Sequence, residues 1–164
     1  VYKGFVFDGR VGEDFKLTSG TWVSAGTLRP RLLSHFAPLF TDAVITGQDR
    51  DEVGALVFPD IERCREFTSD LASNAPVAEV LAHPALRARI SELLGDFAAQ
   101  ATGSSNRVTR LLLMEEPPSF GDGEITDKGS INAGNVLARR AGLVEALYGD
   151  PAASGAFTIF PGEC

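Results

Sequence analysis

Apolar residues recur along the chain with two different periods, and the change of period separates predicted strands from predicted helices. The segment 13–17 reads Glu-Asp-Phe-Lys-Leu, so its apolar and polar residues alternate and predict a strand with one buried side. The apolar run 5–10 ends in a turn and predicts an earlier short strand. We expect these two strands to pair as a hairpin around residues 10–12.

Other stretches carry apolar residues at helical spacing. We expect helices at 26–36, 61–71, 77–81, 85–101 and 133–148. Pro30 is expected in the first turn of its helix, where the missing amide hydrogen is tolerated. Asp60 is expected to cap the helix that follows it.

Between the helices, short apolar runs predict a second set of strands. The runs 43–46 and 55–58 flank a polar turn and predict a hairpin, and 108–114 predicts a central strand. Residues 115–123 are expected to form a loop and 124–132 an extended segment. This order predicts an α+β fold, a compact mixed domain with a small hairpin plus a central sheet flanked by helices. The domain is expected to span 1–148, followed by a loose tail at 149–164.

Charge and cysteine content narrow the class of protein. The net charge is −7, whereas non-specific nucleic-acid binding depends on a basic face, so we expect no nucleic acid as main partner. No apolar run approaches the roughly 20 residues that cross a bilayer, so no membrane partner is expected. The two cysteines, Cys64 and Cys164, lack metal-ligand spacing and favour a cytoplasmic location over a secreted scaffold. The sequence predicts no metal site.

Two segments carry a family resemblance. Segment 9–20 contains a Gly-Arg pair, then a glycine, an acidic pair, a lysine and a further glycine, and resembles the hinge motif of adenylate-forming enzymes. Segment 123–132 resembles the late motif of that superfamily, whose lysine enters the active site during adenylation. Together, the sequences of the two segments are most similar to those of feruloyl-CoA synthases. The resemblance implies the C-terminal domain of an AMP-forming acid–CoA ligase, and no phosphate-binding Gly-x-x-x-x-Gly-Lys loop occurs in the chain.

The resemblance also implies a reaction and its partners. An acid of the hydroxycinnamate class reacts with ATP, which brings Mg²⁺, to give an acyl-adenylate and pyrophosphate. The small domain then rotates, and the thiol of CoA attacks the adenylate to give a thioester and AMP. The large N-terminal domain of the same polypeptide holds most of the site, so this domain alone is expected to be inactive and to bind neither co-substrate tightly.

Lys128 is the candidate catalytic residue, because a fixed ammonium can stabilise charge on the reacting phosphate. The competing interpretation is a solvated lysine in a polar turn, although lysine is rare in this chain. The common motif reads Thr-x-Ser-Gly-Lys-Ile, whereas here Lys128 and Ser130 have exchanged places. In an extended segment the two positions face the same side, about 6.6 Å apart, which would keep the amine in reach.

The hinge motif supplies the remaining candidates. Gly12 matches the hinge position, where an ordinary turn glycine is the alternative. Arg10 matches the arginine near the nucleotide, with a surface ion pair as the alternative. Ser19 and Gly20 match the loop that lines the CoA path. Trp22 is expected either to join that path or to be a partly buried core anchor.

Two other functions remain open. A stand-alone nucleotide-binding, CoA-binding or interaction module without catalysis would bind its ligand independently of any second domain. An adenylating domain that loads a carrier protein would use the same residues with a different acceptor.

Overall fold

The computed structural model describes residues 14–158, and in this range the chain folds into two sheets and a set of helices. The strands are β1 (Phe15–Lys16), β2 (Trp22–Val23), β3 (Phe40–Thr46), β4 (Val53–Pro59), β5 (Val108–Leu113) and β6 (Phe157–Thr158). The α-helices are α1 (Ala25–His35), α2 (Ile61–Cys64), α3 (Val77–Ala82), α4 (Pro84–Gln100), α5 (Ala133–Arg139), α6 (Ala141–Leu147) and α7 (Pro151–Ser154). The predicted α+β class is confirmed.

The larger sheet has the strand order β3-β4-β5-β6. β3 and β4 are antiparallel and form the hairpin that the sequence predicts. β4 and β5 are parallel, so the chain must cross over between them, and α2, α3 and α4 make that crossover. β5 therefore lies inside the sheet, as expected from its apolar run.

Helices cover both faces of this sheet. Ala55 and Val57 of β4 pack in one apolar cluster with α1, α3 and α4. Leu56 and Phe58 of the same strand point to the other face and pack with α5 and α6. A strand that is buried on both sides explains why β4 is apolar throughout instead of alternating.

The smaller sheet is the hairpin of β1 and β2, in which Phe15 pairs with Val23. Phe15 and Leu17 are buried against the first cluster, which confirms the predicted side of the strand. The expected hairpin around residues 10–12 lies outside the described residues.

Two helix predictions need correction. Pro30 lies in the middle of α1, not in its first turn. α2 is capped by Asp60, as expected, but ends at Cys64 and continues only as a 3₁₀ turn at Arg65–Phe67. The hydroxyl of Thr68 donates to the carbonyl oxygen of Arg65 at 3.2 Å, a local bond that competes with helix propagation.

The end of the domain also differs from the expectation. The predicted helix 133–148 is two helices, because the backbone of Arg140 leaves the helical conformation between α5 and α6. Residues 151–158, expected in a loose tail, form α7 and β6. β6 extends the sheet next to β5, and Phe157 is buried there beneath the guanidinium of Arg87. None of the helices in residues 14–158 combines the length and hydropathy that a bilayer crossing requires.

Candidate functional site

Lys128 lies at the tip of a tight turn that projects between β5 and α5. The turn closes through three bonds between Thr126 and Ser130. The amide of Thr126 donates to the Ser130 carbonyl oxygen at 2.8 Å, the amide of Ser130 donates to the Thr126 hydroxyl oxygen at 3.3 Å, and the two hydroxyl oxygens lie 2.8 Å apart. Ile125 and Ile131 form an antiparallel bridge at its base. Gly129 has a φ of +83°, a backbone conformation that glycine adopts without strain. The segment 124–132 is therefore a folded-back turn, and the prediction of an extended segment is wrong.

The correction changes the relationship between the two exchanged positions. In a strand, residues 128 and 130 would share one side. Here Ser130 belongs to the base of the turn, where its hydroxyl bonds to Thr126, whereas Lys128 lies at the tip. Lys128 is exposed, and its ammonium makes no ion pair or hydrogen bond with the rest of residues 14–158. The amine is thus available to a group outside the described part of the chain.

A buried ion pair holds the base of this turn. Nε and Nη2 of Arg140 donate to the two carboxylate oxygens of Glu124 at 2.8 and 2.9 Å, a bidentate arrangement. Glu124 is 0% exposed and Arg140 is 5% exposed. The guanidinium lies over the ring of Phe58, on the second face of the sheet. These contacts fix the turn to the sheet and to the break between α5 and α6.

The same pair organises the loop that precedes the turn. Arg140 donates to the carbonyl oxygens of Glu116 and Pro117 at 2.9 and 3.0 Å. The amide of Ser119 donates to the Glu124 carboxylate at 2.8 Å. The hydrogen bonds from Arg140 are the main reason that the pKa of the Glu124 carboxyl falls to about 2, against burial, which would raise it. The carboxylate is therefore charged at neutral pH.

Arg139 adds a more exposed layer to this cluster. Its guanidinium lies 3.2 Å from both Asp122 and Glu124 and 3.4 Å from Glu116. Burial lowers the pKa of Arg139, whereas these carboxylates raise it, with a net upward shift. Two adjacent arginines thus form ion pairs with three carboxylates around the base of the turn.

The first turn of α5 also fixes the Lys128 segment. The side chain of Asn132 caps α5 by accepting a hydrogen bond from the amide of Asn135 at 3.1 Å. The side chain of Asn135 donates to the Gly123 carbonyl oxygen at 2.8 Å. The amide of Asn132 donates to the Glu124 carbonyl oxygen at 2.8 Å. Both ends of the turn are therefore held by main-chain bonds as well as by the ion pair.

Ser19 and Gly20 form the turn between β1 and β2. Gly20 has a φ of +87°, and its amide donates to the Leu17 carbonyl oxygen at 2.9 Å. The Ser19 hydroxyl lies 2.9 Å from that of Thr21. Within residues 14–158, and apart from Gly20 and its two chain neighbours, no heavy atom lies within 4 Å of the position that a Cβ of Gly20 would occupy. Among residues 14–158, no other side chain therefore crowds the backbone at Gly20, and the predicted role of Ser19 and Gly20 in the CoA path stays a prediction.

Trp22 lies on the outer side of this hairpin. It is 62% exposed, and the ammonium of Lys16 lies 5.0 Å from its ring centroid, in cation–π distance. A core anchor would be buried, so that interpretation of Trp22 is wrong. The ring and the Lys16 charge instead present an aromatic and cationic surface.

A groove of about 340 Å³ lies between this hairpin and the helices that follow the Lys128 turn. Its lining includes Asp14, which directly precedes β1, and Phe15 of β1 on the hairpin side, together with Leu137 of α5 and Val144 of α6. The Arg50–Glu145 ion pair, with 2.5 Å between nitrogen and oxygen, lines the same groove. The hinge-like segment 9–20 and the helices that follow the lysine motif therefore border one surface.

Arg10 and Gly12 lie outside the described residues, so their roles remain predictions. Within residues 14–158, no three His, Cys, Asp or Glu side chains come close enough to hold a metal ion. The two histidines have structural partners. His35 Nε2 bonds to the Leu93 carbonyl oxygen at 2.8 Å, and His83 caps α4 while it bonds to Asp70 at 2.8 Å.

Sequence inspection did not identify Glu124 or Arg140 as site residues. One signal was present, because Arg140 occupies a position four residues after Val136 and seven before Leu147, on the apolar side of the helical pattern. An arginine in an apolar stripe requires a buried partner. The pattern does not identify that partner, since Glu124 is a turn residue with no periodic position.

Comparison with known proteins places the fold among adenylation domains. No family model and no curated protein matches the sequence. Three solved structures of carboxylic acid reductases match the fold. The adenylation domain from Mycobacterium chelonae has a TM-score of 0.65 and 22% identity over 86% of this chain, and the chain covers 20% of it.

The other two structures are from Segniliparus rugosus. Its adenylation domain, in complex with AMP and a co-purified carboxylic acid, has a TM-score of 0.63 and 20% identity, over 85% of this chain and 20% of that one. Its didomain with the carrier domain, in complex with AMP, has a TM-score of 0.60 and 20% identity, over 83% of this chain and 17% of that one. The chain thus has the fold of one part of an adenylate-forming domain, and it spans about a fifth of these structures.

Proposed function

We propose that this chain is the C-terminal mobile domain of an ATP-dependent, AMP-forming acid–CoA ligase that activates an aromatic acid of the feruloyl or hydroxycinnamoyl type. The observation that carries the proposal is the placement of Lys128 on the exposed tip of a turn whose base is fixed by buried contacts. The hinge-like and lysine motifs, in the order that adenylate-forming enzymes have, support it. So does the fold shared with adenylation domains that bind AMP.

Lys128 would act by electrostatics. Attack of a carboxylate on the α-phosphate of ATP builds negative charge over the acyl and phosphoryl oxygens, and an ammonium held in place stabilises that charge without reorganising. Removing one such contact typically lowers the rate roughly 100- to 1000-fold. Arg10 would contact the nucleotide, and Gly12 would be the hinge about which the domain turns.

The hairpin would serve the second half-reaction. Ser19 and Gly20 would line the path of the CoA arm after rotation, and within the described part of the chain no other side chain crowds the backbone of Gly20. Trp22 would pack against that arm, and the charge of Lys16 beside it suits the phosphates of CoA. Mg²⁺ would be held by the phosphates of ATP and by the remainder of the polypeptide, because the described residues offer no cluster of ligands for it.

The test separates the two half-reactions in the full-length polypeptide. Lys128→Ala should slow acyl-adenylate formation, measured by pyrophosphate exchange, roughly 100-fold or more, and should spare thioester formation from supplied adenylate. Gly12→Pro should have the reverse effect, because it restricts the rotation that the second step needs. Arg89→Ala removes an exposed cation on α4 and is the matched control. Equal losses in both half-reactions, or no loss, in Lys128→Ala would contradict the assignment.

A second candidate is an adenylating domain that passes its acyl group to a carrier protein. The structural similarity to carboxylic acid reductase adenylation domains, one of them solved with its carrier domain, favours it. The full-length polypeptide with ATP and an aryl acid, supplied with either CoA or a phosphopantetheinylated carrier, distinguishes the two acceptors. Thioester on the carrier alone would replace the CoA ligase proposal by this one.

A third candidate is a stand-alone binding module. It predicts tight binding of AMP or CoA to the isolated chain, measured by calorimetry. The ligase proposal predicts weak or no binding, because most contacts to both ligands would come from the large domain. Tight binding combined with an inert Lys128→Ala variant would favour the module.

A further inference from the structure

Glu124 and Arg140 form a network of hydrogen bonds with each other and with the loop 115–123. Each carboxylate oxygen of Glu124 accepts from a different nitrogen of Arg140, and one of them also accepts from the Ser119 amide. Arg140 uses two of its three remaining N–H groups on loop carbonyl oxygens, those of Glu116 and Pro117. All these partners lie in the segment that leads into the Lys128 turn.

A buried ion pair is weak evidence for stability alone, because apolar residues of similar volume often stabilise a core equally well. What the pair provides is a fixed geometry, since a bidentate guanidinium–carboxylate pair permits one relative orientation of the two groups. Glu124 is four residues before Lys128 and directly precedes the Ile125–Ile131 bridge. Its side-chain orientation therefore sets the direction in which the turn leaves the domain.

Arg140, the other member of the ion pair, is held in place by rigid elements around it. It lies where α5 ends and α6 begins, and its side chain reaches past Met114 at the end of β5 to the ring of Phe58 on β4. The pair thus connects the Lys128 turn to the central sheet through rigid elements. The exposed Arg139 pairs with the same carboxylate from outside, but within residues 14–158 it makes no hydrogen bond, ion pair or ring contact with the sheet.

We propose that Glu124 and Arg140 are positioning residues that hold the Lys128 turn in the orientation required for adenylation. This inference rests on the proposed function of Lys128. The pair touches no substrate. It acts by keeping the ammonium within reach of the reacting phosphate when the domain closes, and a displacement of about 1 Å at such a site can cost on the order of 100-fold in rate.

The first experiment follows the turn in this chain by nuclear magnetic resonance. Glu124→Gln keeps the size of the side chain and removes its charge. We expect lower backbone order parameters at residues 126–130 in this variant, with the order of α4 unchanged. A matched control is Leu94→Ala, which destabilises the opposite face of the sheet and should leave the turn ordered. An equally ordered turn in Glu124→Gln would overturn the proposal.

The second experiment measures the half-reactions in the full-length polypeptide. Glu124→Gln should lower kcat of adenylation by about 10- to 100-fold with KM for ATP and acid little changed, and should spare thioester formation from supplied adenylate. Arg140→Lys, which keeps the charge but not the bidentate contact, should give an intermediate loss. A loss equal in both half-reactions and matched by Leu94→Ala would mean a merely structural role and would overturn the proposal.

A double variant separates this inference from the proposed function. If the pair acts through the lysine, adding Glu124→Gln to Lys128→Ala should cause no further loss of adenylation. Fully additive losses would overturn the positioning role and leave the role of Lys128 intact. If Lys128→Ala alone does not slow adenylation, the proposed function fails first, whatever Glu124→Gln does.

Discussion

The hydroxyl of Tyr148 donates a hydrogen bond to the carbonyl oxygen of Glu52 at 2.9 Å and thereby joins the end of α6 to the turn between β3 and β4. Thr46 Oγ1 lies 3.0 Å from the same hydroxyl oxygen and donates to it. The guanidinium groups of Arg50 and Arg110 lie 4.7 and 5.6 Å from the ring centroid. Tyr148 therefore fixes the wall of the groove that carries α6.

This arrangement predicts a loss of stability in Tyr148→Phe. The variant leaves the Glu52 carbonyl oxygen without its donor, so we expect the free energy of unfolding to fall by about 1–3 kcal/mol. Urea denaturation of both proteins measures the change. Phe120→Leu is the control, since Phe120 is 66% exposed and its replacement should have almost no effect. Equal stability of wild type and Tyr148→Phe would show that water replaces the lost bond.

The phenol of Tyr148 should also ionise at a higher pH than the phenol of an exposed tyrosine. Burial raises its pKa to about 12, so the folded protein favours the neutral form. Its contribution to stability is present below the unfolded pKa, near 10, and is lost as the pH rises towards 12. In a Tyr2→Phe background, tyrosinate absorbance should therefore develop together with alkaline unfolding. Ionisation near pH 10 in the folded protein would contradict the burial argument.

The contribution of Glu124 to the stability of the folded state should be lost at acid pH, whereas that of Tyr148 is lost at alkaline pH. Its carboxyl pKa is about 2, against an ordinary value of 4.5, so its charge stabilises the folded state above pH 4.5 and this contribution is lost as the pH falls towards 2. The groups that face it are Arg140, Arg139 and, across Arg139, the carboxylates of Glu116 and Asp122.

We expect Glu124→Gln to be less stable than wild type by about 3–5 kcal/mol at neutral pH, because it leaves a buried guanidinium without its counter-ion. The difference should shrink between pH 4.5 and pH 2, where wild type loses the same charge. Thermal unfolding across this range measures it. Glu62→Gln, at a carboxylate that is 88% exposed, provides the control and should show no such trend. A difference that stays constant with pH would contradict the assigned cause.

Elements that are specified by residues within one segment could be predicted from the sequence, whereas elements that depend on distant partners could not. The β3–β4 hairpin and α4 are predictable because each combines a clear period with turn or capping residues within the same segment. The break at Arg140 is not, because it depends on a partner sixteen residues away in sequence. β6 is equally unpredictable, since a two-residue strand is specified by its pairing with β5 and not by its own pattern.

The candidate site shows the same division. Lys128 and Gly20 could be proposed as site residues from local motifs, and their roles stay predictions. The anchoring pair could not, because the sequence shows an arginine on an apolar stripe without naming its carboxylate. The exposure of Trp22 also depends on tertiary structure, since a two-residue strand gives no indication of which side will be covered.

The close packing around Gly47, where the two sheets meet, predicts that a larger residue at this position destabilises the fold. A Cβ at this position would lie 2.9 Å from Phe15 and 3.2 Å from Leu17, and the φ of Gly47 is +145°. We expect Gly47→Ala to lower the free energy of unfolding by about 2–4 kcal/mol, through backbone strain and overpacking together. Gly20→Ala isolates the strain, because Gly20 also has a positive φ but open space around it. Similar costs in both variants would rule out the packing contribution.

The burial of Cys64 predicts that its thiol is protected from alkylation in the folded protein. Burial, with the nearby Asp60 carboxylate, raises the pKa of Cys64 to about 12, so almost no reactive thiolate exists at neutral pH. In a Cys164→Ser background, we expect alkylation by iodoacetamide only after unfolding in denaturant. Mass spectrometry before and after denaturation measures the label. Rapid modification of the native protein would show that the segment around α2 opens on its own.

The position of the lysine within the turn leads to the last prediction. The family motif has its lysine where this chain has Ser130, yet Ser130 closes the base of the turn through Thr126 and Lys128 lies at the tip. The exchange Lys128→Ser with Ser130→Lys removes the cation from the tip and one hydroxyl from the base. We therefore expect the exchanged full-length polypeptide to form acyl-adenylate as slowly as Lys128→Ala does.

Ser130→Ala alone is the control, since it removes the hydroxyl contact and leaves the amine in place. It should reduce adenylation by much less, about 10-fold at most, because the amide of Thr126 still bonds to the backbone carbonyl oxygen of residue 130. Wild-type rates in the exchanged polypeptide would mean that the amine reaches the phosphate equally well from the base. Geometry at the tip would then not be the reason that Lys128 is suited to adenylation.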